Sequence, residues 1–350
     1  MTIANRMSVL IKAVLVLIFP VQLFLYGLFL VPLEHKNAEY SQVKNQVQGA
    51  STSVKENRES SLKGKLSDST YGNENSGGAG LIPQRKKSYY DEKIFASASV
   101  VIDVDSGTIL HYDNGRLKMP IASLTKMMTA IVVIEKVKDL NETVTIDEEA
   151  LSVDGTKVGC PRSGYCIDER LHIGEKLTVN DLLTAMLLNS ANDAAVALGK
   201  HIAGSQKEFA KLMNEKAREL NLRDSNFRNP SGLDEENFYS SAYDIARATA
   251  YSMRYDKIWE IMKIPEISIT STDGKYTHNL KNTDVIMNEI PNCLGGKTGF
   301  TYEAGKSLMM AAADPVYGRH RVVAVILNDN DRWIDMKRLI AWTFENYEWK

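Results

Sequence analysis

Cysteine is scarce in this 350-residue chain: Cys160, Cys166 and Cys293 are too few to build a disulfide scaffold. The six histidines, at positions 35, 111, 172, 201, 278 and 320, form no His-Glu-x-x-His or Cys/His cluster, so a zinc site has no support and no cofactor is implied. Charge of one sign is also lacking. With 42 basic against 44 acidic residues the net charge is −2, which leaves no basic excess to neutralise phosphates and argues against a nucleic-acid partner. Large aliphatic side chains are missing from a long stretch near the start: between His35 and Tyr90 only Val43, Val47, Val54, Leu62, Leu66, Leu81 and Ile82 occur. That is too little apolar surface to offset the entropy of ordering the segment, so a disordered linker is expected over 34–92. No internal repeat is visible.

A long hydrophobic run is present, Ala13 to Leu33. It has about the 20 residues that cross a bilayer core. Arg6 and Lys12 precede it, so residues 1–12 are expected in the cytoplasm, 13–33 in the membrane, and the rest outside. A cleaved signal peptide is the rival reading. Its apolar stretch is shorter and closes on small residues, whereas this run ends in Val-Pro-Leu-Glu-His. From 93 to 350 the apolar periodicity is that of a folded domain. Strands are expected over 97–104 and 108–112, joined by the turn Asp105-Ser-Gly, and again over 293–301, 307–313 and 321–328. Helices are expected over 123–138, 180–188, 193–202, 206–220, 241–253 and 332–347. Strands at both ends with helices between indicate an α+β domain built on one antiparallel sheet.

Three short motifs carry chemistry: Ser123-Leu-Thr-Lys126, Ser190-Ala-Asn192 and Lys297-Thr298-Gly299. Each is weak alone, and Ser60-Ser-Leu-Lys63 in the linker is a decoy for the first. Context separates the two, because Ser123 opens a helix that is apolar all round and Ser60 opens nothing. Residues three apart on a helix share a face, so Lys126 can bring its amine to the Ser123 hydroxyl. A helix start also offers unpaired N–H groups to a developing anion. For Lys126 to act as a base it must lose its proton, which burial and a second cation, with Lys297 the candidate, would promote. The bland alternatives are an N-cap serine and a solvated lysine, and for Ser190 and Asn192 a helix stop and restart. Gly295, Gly296 and Gly299 weaken a purely structural strand; they allow another backbone, such as a peptide substrate, to approach closely, or form a bulge.

These motifs, in this order, resemble those of the penicillin-binding proteins and serine β-lactamases. The flanking phrases Ala122-Ser-Leu-Thr-Lys-Met-Met-Thr-Ala, Leu188-Asn-Ser-Ala-Asn-Asp-Ala-Ala, Asn229-Pro-Ser-Gly-Leu233 and Gly296-Lys-Thr-Gly-Phe-Thr narrow the likeness to the low-molecular-mass D-alanyl-D-alanine carboxypeptidases. The resemblance covers about 93–350. It implies a β-lactamase/transpeptidase-like fold with a helical subdomain, acting on peptidoglycan stem peptides that end in D-Ala-D-Ala and acylated by β-lactams. By the same resemblance Ser123 is the nucleophile and Lys126 its base, Ser190 relays a proton, and Asn192 orients Lys126 and a substrate amide. Lys297 and Thr298 would hold the terminal carboxylate beside Gly299, and the N–H groups of Ser123 and Phe300 would form the oxyanion hole.

Departures from the family pattern narrow this further. The Glu-x-x-x-Asn element of the commonest β-lactamases is missing: before Asn221 the required position is Ala217, which counts against fast penicillin hydrolysis. The β-rich domain and amphipathic helix that follow many such carboxypeptidases are expected to be absent, with 13–33 serving as the anchor. Cys160 and Cys166 could pair in an exported protein or stay as two thiols. Cys293 reads as a buried strand residue, and Arg332 as a surface arginine or a contributor to carboxylate binding. Endopeptidase or transpeptidase action on cross-links, and a non-catalytic wall-binding scaffold, remain alternatives.

Overall fold

The computed structural model describes residues 81–160 and 165–350. The expected anchor at 13–33 and the linker up to residue 80 lie outside the described residues. Among the described residues no helix is long and apolar enough to cross a membrane.

The chain begins with β1 (Pro83–Arg85), β2 (Ala98–Asp103) and β3 (Ile109–Asp113), followed by a 3-10 turn at Ala122–Thr125 and helix α1 (Lys126–Lys136). Then come β4 (Thr143–Thr145), α2 (Glu148–Ser152), β5 (Lys176–Thr178), α3 (Val179–Leu188), α4 (Asn192–Ala203), α5 (Gln206–Glu219), α6 (Ala242–Ser252) and α7 (Asp256–Met262). The hairpin β6 (Glu266–Thr270) and β7 (Thr277–Lys281) leads to β8 (Cys293–Thr301), β9 (Gly305–Ala313) and β10 (Arg321–Leu327). Helix α8 (Arg332–Asn346) and β11 (Tyr347–Trp349) close the chain.

The central sheet has five antiparallel strands in the order β3-β2-β10-β9-β8. Its inner strands β2, β10 and β9 are apolar on both sides, so both faces need a cover. Val100, Ile102, Met309, Ala311, Val323 and Val325 pack with the helices α1 and α3–α7. The alternate residues Val101, Leu308, Met310, Val322, Ala324 and Ile326 pack instead on Met336, Leu339, Ile340 and Trp342 of α8. Helix starts follow the local chemistry. Thr178 and Asp181 form a reciprocal capping box on α3, while Ser205 and Ser241 cap α5 and α6.

Strands and helices lie where the periodicity placed them, to within a residue or two, with one consequential exception. The helix expected over 123–138 starts as the 3-10 turn, because Ala122 at φ 47° enters the left-handed region and sends the chain in sharply. Elements without a clear period were missed: the short strands β1 and β11, the β4–β5 pair, α2, α7 and the β6–β7 hairpin, whose first strand exposes four of its five residues. Residues 83–92, assigned to the linker from sequence, are ordered. β1 pairs with β11, and Tyr90 and Glu92 bind α8.

Candidate active site

The site is built around the 3-10 turn. Ser123 sits half-buried in its middle, and Lys126, the first residue of α1, is completely buried beneath it. Lys126 Nζ donates to three acceptors: Ser123 Oγ at 2.9 Å, Asn192 Oδ1 at 2.7 Å and the Ser231 carbonyl at 2.6 Å. Burial, followed by the like charge of Lys297, holds its amine well below the ordinary lysine range, and Asp193 opposes them weakly. The geometry has a consequence for proton transfer. A neutral amine keeps two N–H bonds, and Asn192 Oδ1 and the Ser231 carbonyl can only accept, so they claim both. The lone pair is left facing the Ser123 hydroxyl.

The second motif lies where α3 ends and α4 begins. Asn192 opens α4, and its amide is oriented by the chain before it: Nδ2 donates to the Asp154 carbonyl at 2.7 Å, which turns Oδ1 toward Lys126. Its own backbone N–H donates to Thr156 at 2.7 Å. Gly155, at φ +83°, leaves room here, since a Cβ would come within 2.7 Å of Asn192 Nδ2. Ser190 is buried in a left-handed conformation at φ 58°, between the two helices. No hydrogen bond joins its hydroxyl to Lys126 or Ser123. Next to Asn192, the buried Asp193 accepts N–H bonds from Val158 and Ala194, and burial pushes it up to about 6.

The third motif lies on β8, the edge strand of the sheet, which leaves one side of its backbone open to an extended chain. Lys297 is completely buried, and burial with the nearby guanidinium of Arg332 lowers it to about 7, opposed by Asp284. Thr298 Oγ1 donates to Thr283 Oγ1 at 2.9 Å, and Thr283 N–H donates to the last carbonyl of α3, Leu188, at 3.1 Å. The strand glycines admit close neighbours and a bulge, as expected, but the neighbours are the protein's own. At Gly299 a Cβ would meet the Ile121 carbonyl at 3.0 Å, and at Gly296 it would meet Asp284 Oδ2 at 2.2 Å. The backbone that approaches Gly299 is therefore the protein's own, the Ile121 carbonyl at the start of the 3-10 turn that carries Ser123. Gly295 marks the bulge, where the β8–β9 register shifts.

Two residues around the site had no role in the sequence reading. The Asn229-Pro-Ser-Gly-Leu233 phrase is a turn knotted by Asn229, whose Oδ1 accepts from Gly232 N–H at 2.8 Å and Leu233 N–H at 3.2 Å, and it presents the Ser231 carbonyl to Lys126. Asp284 is the other. Arg332 is not a surface arginine: it is half-buried, and Nη1 donates to the Gly299 and Ser307 carbonyls at 2.9 and 3.1 Å. Cys160 and Cys166 are joined in a disulfide. Cys293 is a free, half-buried thiol that burial pushes up to about 11, the opposite of what a nucleophile needs. A cavity of about 410 Å³ lined by Lys211, Asn214, Glu215 and Arg218 shares no residue with this site.

Residues 85–331 match the family model described as D-alanyl-D-alanine carboxypeptidase. The chain is 33% identical over 262 residues to the D-alanyl-D-alanine carboxypeptidase DacF of Bacillus subtilis. That match covers 72% of the chain and 63% of the relative, so the chain spans under two thirds of that protein's length. It is 30% identical over 252 residues to a D-alanyl-D-alanine endopeptidase of Pseudomonas aeruginosa, covering 72% of the chain and 78% of the relative. Among solved structures, penicillin binding protein 5 from Haemophilus influenzae superposes with a TM-score of 0.65 at 30% identity, covering 74% of each chain.

Proposed function

The chain belongs to the D-alanyl-D-alanine carboxypeptidase family, and from that membership and the geometry around Ser123 we propose that it removes the terminal D-Ala from peptidoglycan stem peptides through an acyl-enzyme. The observation that carries the reading is the buried amine of Lys126, held by acceptor-only partners so that its lone pair meets the Ser123 hydroxyl. In this reading Ser123 Oγ attacks the carbonyl of the penultimate D-Ala while Lys126 takes the hydroxyl proton. The oxyanion would form between the N–H groups of Ser123 and Phe300; the close approach of the Ile121 carbonyl to Gly299, next to Phe300, supports this. Collapse breaks the peptide bond, and the leaving D-Ala amine receives its proton through Ser190, which is uncommitted to Lys126. Water then hydrolyses the ester with Lys126 as base. Lys297 and Thr298 hold the terminal carboxylate, a charge-assisted contact worth more in a buried setting than in water. A β-lactam would enter the same way and leave its ring-opened ester on Ser123.

The catalytic unit would work outside the membrane, carried by the apolar segment 13–33 and its linker. The hydropathy of that segment and the Cys160–Cys166 disulfide favour an exported location. A second reading, cleavage of cross-links, is favoured by the likeness to the Pseudomonas endopeptidase. The test is release of D-alanine from a diacyl-Lys-D-Ala-D-Ala peptide, and of monomeric stem peptides from a cross-linked dimer, by the full chain, with Ser123→Ala as control. Release from the linear peptide that vanishes in the variant supports the carboxypeptidase. Cleavage of the dimer alone would select the endopeptidase. No turnover together with no penicillin adduct on Ser123 would defeat both.

A further inference from the structure

Ser123, Lys126 and Thr129 follow one another at intervals of three residues, so they share a face, and Thr129 is completely buried in α1. A helical threonine commonly turns its hydroxyl back to its own helix, as Thr184 does to the Asn180 carbonyl of α3 and Thr343 to the Leu339 carbonyl of α8. Thr129 does not. Its Oγ1 donates at 2.7 Å to the carbonyl of Pro230, in the turn whose next carbonyl, that of Ser231, meets Lys126. Consecutive carbonyls of the turn are thus taken by side chains one helical turn apart. The bonds that Asn229 Oδ1 accepts come from the Ser231 hydroxyl and the N–H groups of Gly232 and Leu233. They lie within the turn, so they fix its shape and not its distance from the helix. Among the described residues, the hydrogen bonds that cross from α1 to residues 229–233 are those of Lys126 and Thr129. Gly232 closes the contact at the other end, where a Cβ would collide with the Ala122 carbonyl.

We propose that Thr129 is a positioning residue for the general base: by holding the Pro230 carbonyl against α1, it keeps the Ser231 carbonyl on the Lys126 amine. This role rests on the acyl-enzyme reading and deepens it. Lys126 cannot fix the spacing alone, because its pull on the carbonyl changes each time it gains or loses a proton. A hydrogen bond from an ammonium is roughly twice as strong as one from a neutral donor. The Thr129 hydroxyl does not titrate, and it holds the turn in both states. Loss of its bond would act twice. The Ser231 carbonyl draws back, one N–H of the neutral amine loses its acceptor and turns to the Ser123 oxygen, and the lone pair no longer faces the hydroxyl proton. The ammonium form also loses an acceptor, and loses more by it than the amine does, so Lys126 sheds its proton at a lower pH. The charged groups that act on Lys126, Lys297 of β8 and Asp193 of α4, stay in place.

The experiment follows penicillin acylation of Ser123 in the full chain across the rising limb of its pH profile. Thr129→Val keeps the shape of the side chain and removes the donor. It should lower the plateau rate about tenfold and move the limb to lower pH by about one unit. Thr129→Ser, which keeps the hydroxyl, should restore both. If Thr129→Val does not fold, Thr129→Ala, which has no methyl group to press on the Pro230 carbonyl, should show the same two changes. A limb that stays in place in the folded variant, whatever the rate, would make Thr129 a packing residue and overturn the proposal. Failure of Thr129→Ser to restore the limb would do the same. A parent that forms no penicillin adduct would instead defeat the acyl-enzyme reading.

Discussion

Lys126 has no exposed surface, and an ammonium ion there would forgo hydration worth several kcal/mol. The surroundings favour the free base: burial and Lys297 both oppose the charge, against Asp193 alone. Arginine keeps its proton at any accessible pH, so Lys126→Arg should leave a folded protein that acylates about 10² to 10⁴ times more slowly. Stopped-flow measurement of penicillin acylation checks this, and a loss under tenfold would assign the base elsewhere. In the parent, acylation should fall as the pH drops and Lys126 takes up a proton. The spacing of Ser123 and Lys126 made this pair readable from sequence, because three residues on one helical turn share a face. The Ser231 carbonyl was not readable, since a backbone acceptor carries no side-chain signature. Asp284 was hidden for another reason: in Asn282-Thr-Asp284 an acidic residue looks like ordinary turn chemistry until its burial is seen.

Between residue and domain stand the segments 153–160 and 165–175, which carry the two cysteines of the disulfide and support the second motif. They meet the β6–β7 hairpin at a buried ion pair: His278 Nε2 lies 2.7 Å from Glu175 Oε1, and both side chains are fully buried. Burial is the largest influence and works against each charge, but the mutual hydrogen bond, the backbone bonds to the Glu169 carbonyl and from His172 N–H, and the charge attraction together outweigh it, raising His278 and lowering Glu175. The raised histidine contributes stability fully below its unfolded value of about 6.5, and this is lost as pH rises through its folded value. The lowered glutamate contributes above about 4.3, and this is lost as pH falls through its folded value. The pair is therefore worth most between roughly pH 4.3 and 6.5. His278→Leu strands a buried carboxylate and should cost about 3 kcal/mol in that window, shrinking toward pH 9. Urea unfolding at pH 5.5 and 9 measures it, and an equal cost at both would leave only packing. No sequence pattern announced this contact. Its partners lie 103 residues apart, and His278 stands among polar neighbours in a strand whose one apolar side chain is Leu280.

At the scale of the whole folded unit, the site belongs to one face and the N-terminal strap to the other. Ser123 and Lys126 lie on the face covered by α1 and α3–α7, whereas residues 83–95 lie over α8. The strap is held by few aliphatic contacts, which is why composition assigned it to the linker. Main-chain and aromatic groups hold it instead. β1 pairs with β11, Tyr90 N–H donates to Asn346 Oδ1 at 2.9 Å, and Trp342 Nε1 donates to the Tyr90 carbonyl at 2.7 Å. Lys86 Nζ reaches the Phe344 carbonyl at 2.8 Å, and the Tyr89 ring meets Trp342 edge-on at 5.9 Å. At about 1 kcal/mol for each net hydrogen bond, removing the strap should cost about 2–4 kcal/mol. A fragment of residues 93–350 should therefore melt about 5–10 °C below one of residues 81–350. None of the strap's contacts reaches Ser123, so at 25 °C both fragments should react with penicillin at the same rate. Equal melting temperatures would mean that the strap is not part of the stable fold, and slower acylation in the shorter fragment would mean that α8 transmits its loss through Arg332 to β8.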